Sequence, residues 1–456
     1  MDVVPPLAHP APVPRARRPW WIPHFLGAVP EIAPEKLRLL GVVALALFFE
    51  QYDFGMLSNA LPRIALDLGI ERADYGRYLS LVRLGALPAF ALLALADRIG
   101  RRRLFLLCVV VLSLGTAATA LAQTPVQFVA IQMLTRTFMT AGMAIAFVIV
   151  TEEFPAEHRG WGLGVLGALG AIGIGLGAGL FAAVDVLPYG WRALYAFGLF
   201  PLVLIPTFRR SVPETRRFHD QVASQEAKAR ARGVFATWLG PIVDLARAYP
   251  ARAGLVALIS FATSFGTVSV FQFTSDFLLR DRGWAPWQFS LMLVLGGALG
   301  IVGNVSAGRL GDRVGRRGVG MASMAAFPAF VSLFYLGPSA SLTAAWIGFL
   351  FCVSMNQTIQ RAFATELFPT RERGTAMGLA ELVSTLGASA GLALVGVGIG
   401  LGWPLAQVTS AFSFAVAGAG LFVLLLPETR GRELEAISDA GRSDGGEVPH
   451  RPRREH

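Results

Sequence analysis

Two short stretches of this sequence, LADRIGRRR at residues 95–103 and LGDRVGRRG at residues 310–318, carry nearly the same order of charged and glycine residues. They lie 215 residues apart. Two further motifs recur at an offset of 214 residues: EEFPAEHRG (152–160) with ELFPTRERG (366–374), and PETRR (213–217) with PETRG (427–431). Three separate motifs that recur at one long period predict a duplicated structural unit.

The composition is typical of a membrane protein. Of the 456 residues, 54% are hydrophobic and only 15% are charged, whereas a soluble protein carries about 25% charged residues. Twelve apolar stretches are long enough to cross a bilayer as helices: they lie at about 38–61, 77–97, 103–122, 126–150, 160–184, 191–209, 253–276, 286–308, 319–338, 341–363, 374–401 and 405–426. Together with the duplication, they predict an all-α membrane protein with 12 transmembrane helices in two pseudo-symmetric six-helix bundles.

The distribution of basic residues predicts the orientation. Arginines are concentrated in alternate loops, while the intervening loops near 123–125, 338–341 and 402–404 carry none. Because cytoplasmic loops carry the excess of basic residues, both termini are expected in the cytoplasm. The net charge of +10 is explained in this way without a nucleic-acid partner. The predicted regions are an N-terminal tail (1–36), a first bundle (37–209), a central cytoplasmic loop (210–252), a second bundle (253–426) and a C-terminal tail (427–456).

The repeated motifs resemble those of a known family. The stretch from Gly308 to Arg317 matches the loop 2–3 motif of the major facilitator superfamily, Gly-x-Leu-Ala-Asp-Arg-x-Gly-Arg-Arg, and the first copy differs at its opening position, where Leu93 replaces glycine. The E-x-F-P-x-x-x-R-G and P-E-T-R motifs resemble the sugar-porter and metabolite–proton symporter branches. The resemblance covers about residues 37–435, and it implies a monomeric transporter in the bacterial inner membrane that works by alternating access.

In these relatives the repeated charged residues form a network that closes the cytoplasmic gate. The resemblance implies this role for Asp97, Arg101, Glu152, Arg159 and Glu214 in the first half and for Asp312, Arg316, Glu366, Arg373 and Glu428 in the second. Carboxylates and guanidinium groups at helix ends can pair in one conformation and separate in another. The alternative is that these arginines only set the membrane topology.

Two carboxylates lie within the first apolar stretch. Glu50 and Asp53 are three residues apart, on one face of a helix, and charged groups in a membrane span cost about 2.5–3.5 kcal/mol each. Two carboxylates in a medium of low dielectric repel each other, which favours binding of a proton by one of them. Proton symporters of aromatic and other organic acids resemble this pattern with Asp-Gly-Tyr-Asp, where this chain has Glu-Gln-Tyr-Asp. Glu50 and Asp53 are therefore the predicted proton-coupling residues, although one of them could be a hydrogen-bonded structural group.

Other polar residues inside the apolar stretches are candidates for the substrate site. Arg136 lies deep in the fourth stretch, where it could pair with the helix 1 carboxylates or bind a substrate carboxylate in bidentate fashion. Arg83 could do the same or extend to the membrane surface. The remaining substrate-contact candidates are Tyr52, Gln272, Asn356 and Gln357. For Glu381, a structural role and a coupling role remain open.

The leading hypothesis for function is proton-coupled symport of a small organic acid, with the bilayer, protons and a small carboxylate as partners. The alternatives are transport of a neutral sugar or polyol, export of a drug or metabolite, and sensing of a substrate without net flux. No Walker motif, nucleophile motif or metal-ligand spacing is present in the sequence, so an enzyme, ATP-driven transport, a cofactor and a bound metal are not expected.

Overall fold

The computed structural model describes residues 19–24, 29–206, 234–369 and 372–428. Every helix or strand element within these ranges is helical. The helices are α1 (Pro34–Asp67), α2 (Tyr75–Leu84), α3 (Leu87–Ile99), α4 (Arg101–Thr119), α5 (Pro125–Glu153), α6 (Arg159–Phe181), α7 (Trp191–Ala196), α8 (Phe200–Val203), α9 (Val234–Ala248), α10 (Pro250–Gln272), α11 (Pro286–Val314), α12 (Arg316–Leu336), α13 (Leu342–Glu366), α14 (Arg373–Gly400) and α15 (Leu405–Val423). A short helical turn (Thr274–Asp276) and a π-helix (Phe277–Asp281) follow α10.

The prediction of an all-α, multi-pass membrane protein is confirmed. Among the described residues, 10 helical segments are long and apolar enough to cross a membrane. The count of 12 stays a prediction. Of the stretch predicted at 191–209, the structure describes residues up to 206, and these include the short helices α7 and α8, joined by the 3-10 turn Phe197–Leu199.

The helices pair in the same way in the two halves. In the first half α1 packs against α6 and α4 against α5, and in the second half α10 packs against α14 and α12 against α13. These pairs are equivalent under the repeat seen in the sequence. The two halves meet where α2 packs against α14 and where α6 packs against α11.

A glycine in each copy of the first motif separates two helices. Gly100 (φ 99°) lies between α3 and α4, and Gly315 (φ 113°) lies between α11 and α12. Side chains other than hydrogen are strained at these backbone angles. The glycine in each copy therefore allows the chain to turn sharply between consecutive helices.

The second predicted apolar stretch, 77–97, is divided between two helices. Helix α2 ends at Leu84 and α3 begins at Leu87. The Gly85 carbonyl accepts a hydrogen bond of 2.5 Å from the Thr137 hydroxyl of α5, and a Cβ atom at Gly85 would lie 2.5 Å from the Met133 carbonyl oxygen. The missing side chain lets the two backbones approach, and the break leaves Arg83 at the end of α2.

Two features lie in regions predicted as tail and loop. Helix α9 lies within the predicted central loop and packs against α3, α10 and α14; its Ile242 and Leu245 are buried while Val243 and Arg247 are exposed. Near the N-terminus, the Trp21 ring packs at Gly41 of α1. Residues 210–233 of the predicted loop, residues 207–209 before it and the C-terminal residues from 429 lie outside the described residues.

Candidate transport site

A cavity of about 400 Å³ lies between the two halves. We call the end of the molecule that carries Arg101 and Arg316 the motif end and the opposite end the sealed end. Arg361, Ala364 and Met377, which lie near the motif-end termini of α13 and α14, line the cavity. The cavity therefore extends to the motif end.

The first-half wall of the cavity carries two arginines, Arg83 from α2 and Arg136 from α5. The Arg136 guanidinium lies over the Phe54 ring, 4.9 Å from its centre. The Nε atoms of both arginines are buried and have no hydrogen-bond partner within the described residues. A buried guanidinium donor without a partner favours a nearby anion, so the two arginines make the first-half wall electropositive.

The second-half wall is polar and mostly neutral. Ser323 donates a hydrogen bond of 2.6 Å to the side-chain oxygen of Asn356. The side-chain nitrogen of Asn356 has no partner in the described part of the chain. Gln357 and Gln360 lie on the same wall. These amides can bind hydroxyl or carbonyl oxygens of a substrate.

Glu381 of α14 is also on this wall. It is the single acidic side chain among the described residues that line the cavity. It is exposed to the cavity, and it interacts electrostatically with both Arg83 and Arg136.

Glu50 and Asp53 lie inside the first half and not on the cavity wall, which Gln51 and Phe54 of the same helix line instead. Glu50 is only 1% exposed, and neither of its carboxylate oxygens has a hydrogen-bond partner in the described ranges. It lies beside α5, since a Cβ atom at Gly142 would be 2.5 Å from its Oε1 atom. A glycine at position 142 therefore leaves the space that the Glu50 carboxyl group occupies.

Asp53 is 4% exposed and lies beside the Thr116 hydroxyl of α4. It interacts electrostatically with Arg136, so this arginine is shared between the buried carboxylate and the cavity. Tyr52 is fully buried, and its hydroxyl donates a hydrogen bond of 2.8 Å to the Leu194 carbonyl. Tyr52 thus belongs to the packing of the first half and not to the cavity wall.

Hydrogen bonds between the halves close the sealed end. Ser58 of α1 donates to the Gln272 side-chain oxygen of α10 over 2.9 Å, and Ser275 donates to the Ser58 carbonyl over 2.6 Å. The Gln272 amide nitrogen is buried without a partner among the described residues, and it faces a smaller cavity that Arg83 and Arg136 also line.

Four charged residues, which we call the sealed-end cluster, also join the halves: Arg72, Asp276, Arg280 and Asp281. The Arg72 Nε atom lies 2.7 Å from Asp276, whose side chain is 0% exposed, and the other two Arg72 nitrogens donate to both oxygens of Asp281 at 2.8 Å. Arg280 lies 3.3 Å from Asp276. This cluster was not predicted from the sequence, although basic and acidic residues occur together near Arg72 and near Arg280.

Comparison with known proteins decides the family. The model of the Major Facilitator Superfamily matches residues 43–356 and 256–444, which is most of the chain. The chain belongs to the Major Facilitator Superfamily. It is 28% identical to the gallate transporter of Pseudomonas putida over 89% of this chain and 95% of that protein. It is 26% identical to the 4-hydroxybenzoate transporter PcaK of Pseudomonas aeruginosa over 91% of this chain and 96% of that protein.

The fold of this facilitator is similar to that of the xylose transporter XylE from E. coli in its inward open conformation. The TM-score is 0.70 at 17% sequence identity, over 88% of this chain and 99% of that structure. At this identity the likeness concerns the fold alone. The family membership confirms the predicted class, a transporter and not an enzyme.

At the motif end, the facilitator keeps two equivalent ion pairs. Arg101 pairs with Glu152 in the first half, and Arg316 pairs with Glu366 in the second. Glu428 accepts hydrogen bonds from the backbone nitrogens of Arg316 and Arg317, at 2.9 and 3.1 Å. A carboxylate at these N–H groups caps the start of α12.

The other predicted gate residues are placed differently. Arg159 donates to the Phe154 carbonyl of its own half over 3.1 Å, and the Arg373 Nε atom is buried with no partner in the described part of the chain. Glu214 and the side chains of Asp97 and Asp312 lie outside what the structure describes. The two pairs Arg101–Glu152 and Arg316–Glu366 are each made within one half, which accords with a cavity that extends between the halves here.

Proposed function

We propose that this facilitator is a proton-coupled symporter of a small organic acid in the bacterial inner membrane. The observation that carries the proposal is the pair of arginines, Arg83 and Arg136, whose buried Nε atoms lack partners in the described structure while the residues line the central cavity. A carboxylate is the group that best matches a guanidinium donor in geometry and charge.

The names of two relatives and the size of the cavity support the same class of substrate. Gallate and 4-hydroxybenzoate, after which two relatives are named, are both carboxylates on a hydroxylated ring. A cavity of about 400 Å³ is within the usual range for small-molecule sites. In this proposal the substrate carboxylate binds Arg136 and Arg83, its ring packs near Phe54, and its other oxygens bind amides such as Asn356 and Gln357.

The coupling follows from the position of Arg136 between the cavity and Asp53. While Arg136 has no substrate, its charge stabilises the ionised form of Asp53. A substrate carboxylate that binds Arg136 competes for that charge, which favours binding of a proton by Asp53. Glu50, a buried carboxyl group without a partner cation among its described contacts, is the second proton-coupling residue of this proposal.

The transport cycle is alternating access between the two halves. The excess of arginines at the motif end supports an orientation with that end, and both termini, in the cytoplasm. The structure then corresponds to an inward-facing state, with the sealed-end cluster closed toward the periplasm. The predicted gate residues close the motif end in the opposite state, and the unit of transport is a monomer of 12 helices.

Uptake into vesicles of purified protein tests this function. Radiolabelled 4-hydroxybenzoate, gallate and xylose are each offered with and without an acidic exterior. We expect the acids to accumulate only with the pH gradient, and we expect Asp53→Asn to reduce this accumulation more than about tenfold while exchange of labelled for unlabelled acid continues. Asp244→Asn, a change of an exposed aspartate on α9, is the control. Acid uptake that is equal with and without the pH gradient would contradict proton coupling. The absence of any flux would favour the sensor hypothesis.

A neutral sugar or polyol is the second candidate, because the second-half wall presents Asn356, Gln357 and Gln360 to the cavity. Amides that donate and accept hydrogen bonds are suited to hydroxyl groups. Xylose uptake that survives Arg136→Ala would favour this candidate, since a neutral substrate needs no guanidinium partner.

A further inference from the structure

The cavity contains a charge that the proposed site does not use. Glu381 projects from the second-half wall opposite the two arginines of the first half. Its carboxylate makes no hydrogen bond or ion pair within the described residues, but it interacts electrostatically with Arg83 and Arg136. A carboxylate in a site for carboxylates would repel the substrate, so its presence there requires an explanation.

The contact between α2 and α14 determines how Glu381 moves. The two helices touch near the sealed end, where Ser389 donates to the Ser80 carbonyl over 3.4 Å. Arg83 lies three residues beyond Ser80 toward the motif end, and Glu381 lies eight residues, or about 12 Å along the helix, beyond Ser389. When the halves rock about the sealed end and the motif end closes, α14 brings Glu381 toward the arginines.

The charges that surround the closed cavity can be counted for each state. Arg83 and Arg136 contribute two positive charges, and Glu381 and ionised Asp53 contribute two negative charges, so the empty cavity is neutral. The substrate anion together with a proton on Asp53 is neutral as well. The substrate alone leaves one negative charge, and the proton alone leaves one positive charge.

Two other titratable groups do not change this count. Glu50 enters it as the neutral acid, since no cation lies among its described contacts and an unpaired buried charge is strongly disfavoured. Arg361 also lines the cavity, but it is exposed at the motif-end mouth, where water and salt screen its charge.

We propose that Glu381 is the resident counter-ion of the empty carrier: it balances the two cavity arginines, so that the cavity closes only when it is empty or when it holds both the substrate anion and a proton. Closing the cavity removes water, and an uncompensated charge in a dry site is strongly disfavoured. This inference rests on the proposed function. It assigns to Glu381 the coupling of one proton to each substrate anion and the return of the empty carrier.

Replacing Glu381 by glutamine separates the steps of the cycle. In Glu381→Gln the empty cavity carries a positive charge, while the cavity with the substrate anion and ionised Asp53 is neutral. We expect accumulation of 4-hydroxybenzoate driven by a pH gradient to fall more than about tenfold. Exchange of labelled for unlabelled 4-hydroxybenzoate should stay within about twofold of the wild type. At alkaline pH this exchange should slow in the wild type but not in the variant, which needs no proton.

A charge-balanced double variant distinguishes this role from a structural one. In Arg83→Gln with Glu381→Gln the empty cavity is neutral again, because Arg136 and Asp53 balance each other. Gradient-driven accumulation should therefore recover, with a higher KM because one arginine is missing. Glu372→Gln, at the start of the same helix and outside the cavity, is the matched control.

The outcomes separate the two proposals. If the wild type shows no gradient-driven accumulation of 4-hydroxybenzoate, the proposed function fails before Glu381 is tested. If the wild type accumulates the acid and Glu381→Gln does so equally well, the counter-ion role is wrong. Loss of exchange in Glu381→Gln, or absence of recovery in the double variant, also overturns it, because either result places Glu381 in binding or folding.

Discussion

At the scale of single residues, helix α1 divides its polar groups between two environments. Glu50 and Asp53 face the interior of the first half, while Gln51 and Phe54, one position further along, face the cavity. Arg136 connects the two environments, because it lies over the Phe54 ring and interacts electrostatically with Asp53. The proposed proton site is thus separated from the substrate yet coupled to it through one guanidinium.

The proposed role of Arg136 predicts the effect of a conservative change. Arg136→Lys keeps the charge but loses the planar pair of donors. The loss of one charge-assisted hydrogen bond, about 1.5–3 kcal/mol, should raise the KM for 4-hydroxybenzoate by roughly 10- to 150-fold. Initial rates of uptake across substrate concentrations measure this effect. Arg77→Lys, on the exposed face of α2, is the control, and an equal KM in both variants would contradict direct contact with the carboxylate.

At the scale of helices, the seam between α2 and α14 depends on two glycines. A Cβ atom at Gly76 would lie 2.5 Å from the Gly396 backbone nitrogen and 2.8 Å from its Cα atom. The backbones of the two halves therefore touch at this point, and no side chain fits between them. This contact exists because the sealed end is closed, so it should stabilise this state against the opposite one.

The seam predicts a conformational effect of one methyl group. Gly76→Ala should destabilise the sealed state by about 1–3 kcal/mol, which is roughly a 5- to 150-fold shift of the ratio between the two states. A cysteine at the cavity residue Thr267, labelled from the sealed-end side by an impermeant thiol reagent, reports this shift. The native cysteines, Cys108 and Cys352, are buried.

The control is Gly175→Ala in α6, where a Cβ atom would meet nothing within 4 Å. Faster labelling in this control as well would show that any added methyl group loosens the molecule. Unchanged labelling in Gly76→Ala would show that the seam does not hold the sealed state.

At the scale of the whole molecule, the two ends use charge in different ways. The motif-end pairs, Arg101 with Glu152 and Arg316 with Glu366, each lie within one half. In contrast, Arg72 of the first half binds Asp276 and Asp281 of the second. Because Asp276 is buried, loss of Arg72 leaves its carboxylate with Arg280 alone among its described ion-pair partners.

The sealed-end cluster therefore predicts a larger effect than a surface ion pair. Removing one partner of a buried pair costs about 3–5 kcal/mol, so Arg72→Gln should increase sealed-end labelling of the Thr267 cysteine more than about 100-fold. Arg63→Gln is the matched control, because Arg63 pairs with Asp185 at the same end but within the first half, with both side chains largely exposed. A double-mutant cycle with Asp276→Asn should show strong coupling; additive effects would contradict the cluster.

Much of the fold could be predicted from the repeat and the hydropathy. The positions of the long helices follow from apolar stretches with arginine-rich loops, and the equivalence of Arg101–Glu152 with Arg316–Glu366 follows from the motif spacing. Helix α9 was missed because its apolar residues recur on one face only and do not form a continuous stretch. The break at Gly85 was missed because it depends on the contact with Met133 and Thr137 of another helix.

The candidate site could be predicted only in part. The sequence singled out Arg83, Arg136, Asn356 and Gln357, which the structure places around one cavity, because polar residues in an apolar stretch are costly and therefore informative. It did not show that Tyr52 packs within the first half. Gln51, a polar residue within the apolar stretch of α1, was the available signal for the side of this helix that lines the cavity.

The sequence by itself determined the membrane class, the duplication and the family, because these depend on composition and on motifs that are local in the chain. Only the tertiary structure decided which end is closed and which charges meet. Arg72 and Asp276 are 204 residues apart, and the groups that attract Arg136 come from two helices of different halves, α1 and α14. Such contacts depend on how the two halves rest against each other, and that arrangement is one of at least two states the same sequence must adopt in order to transport.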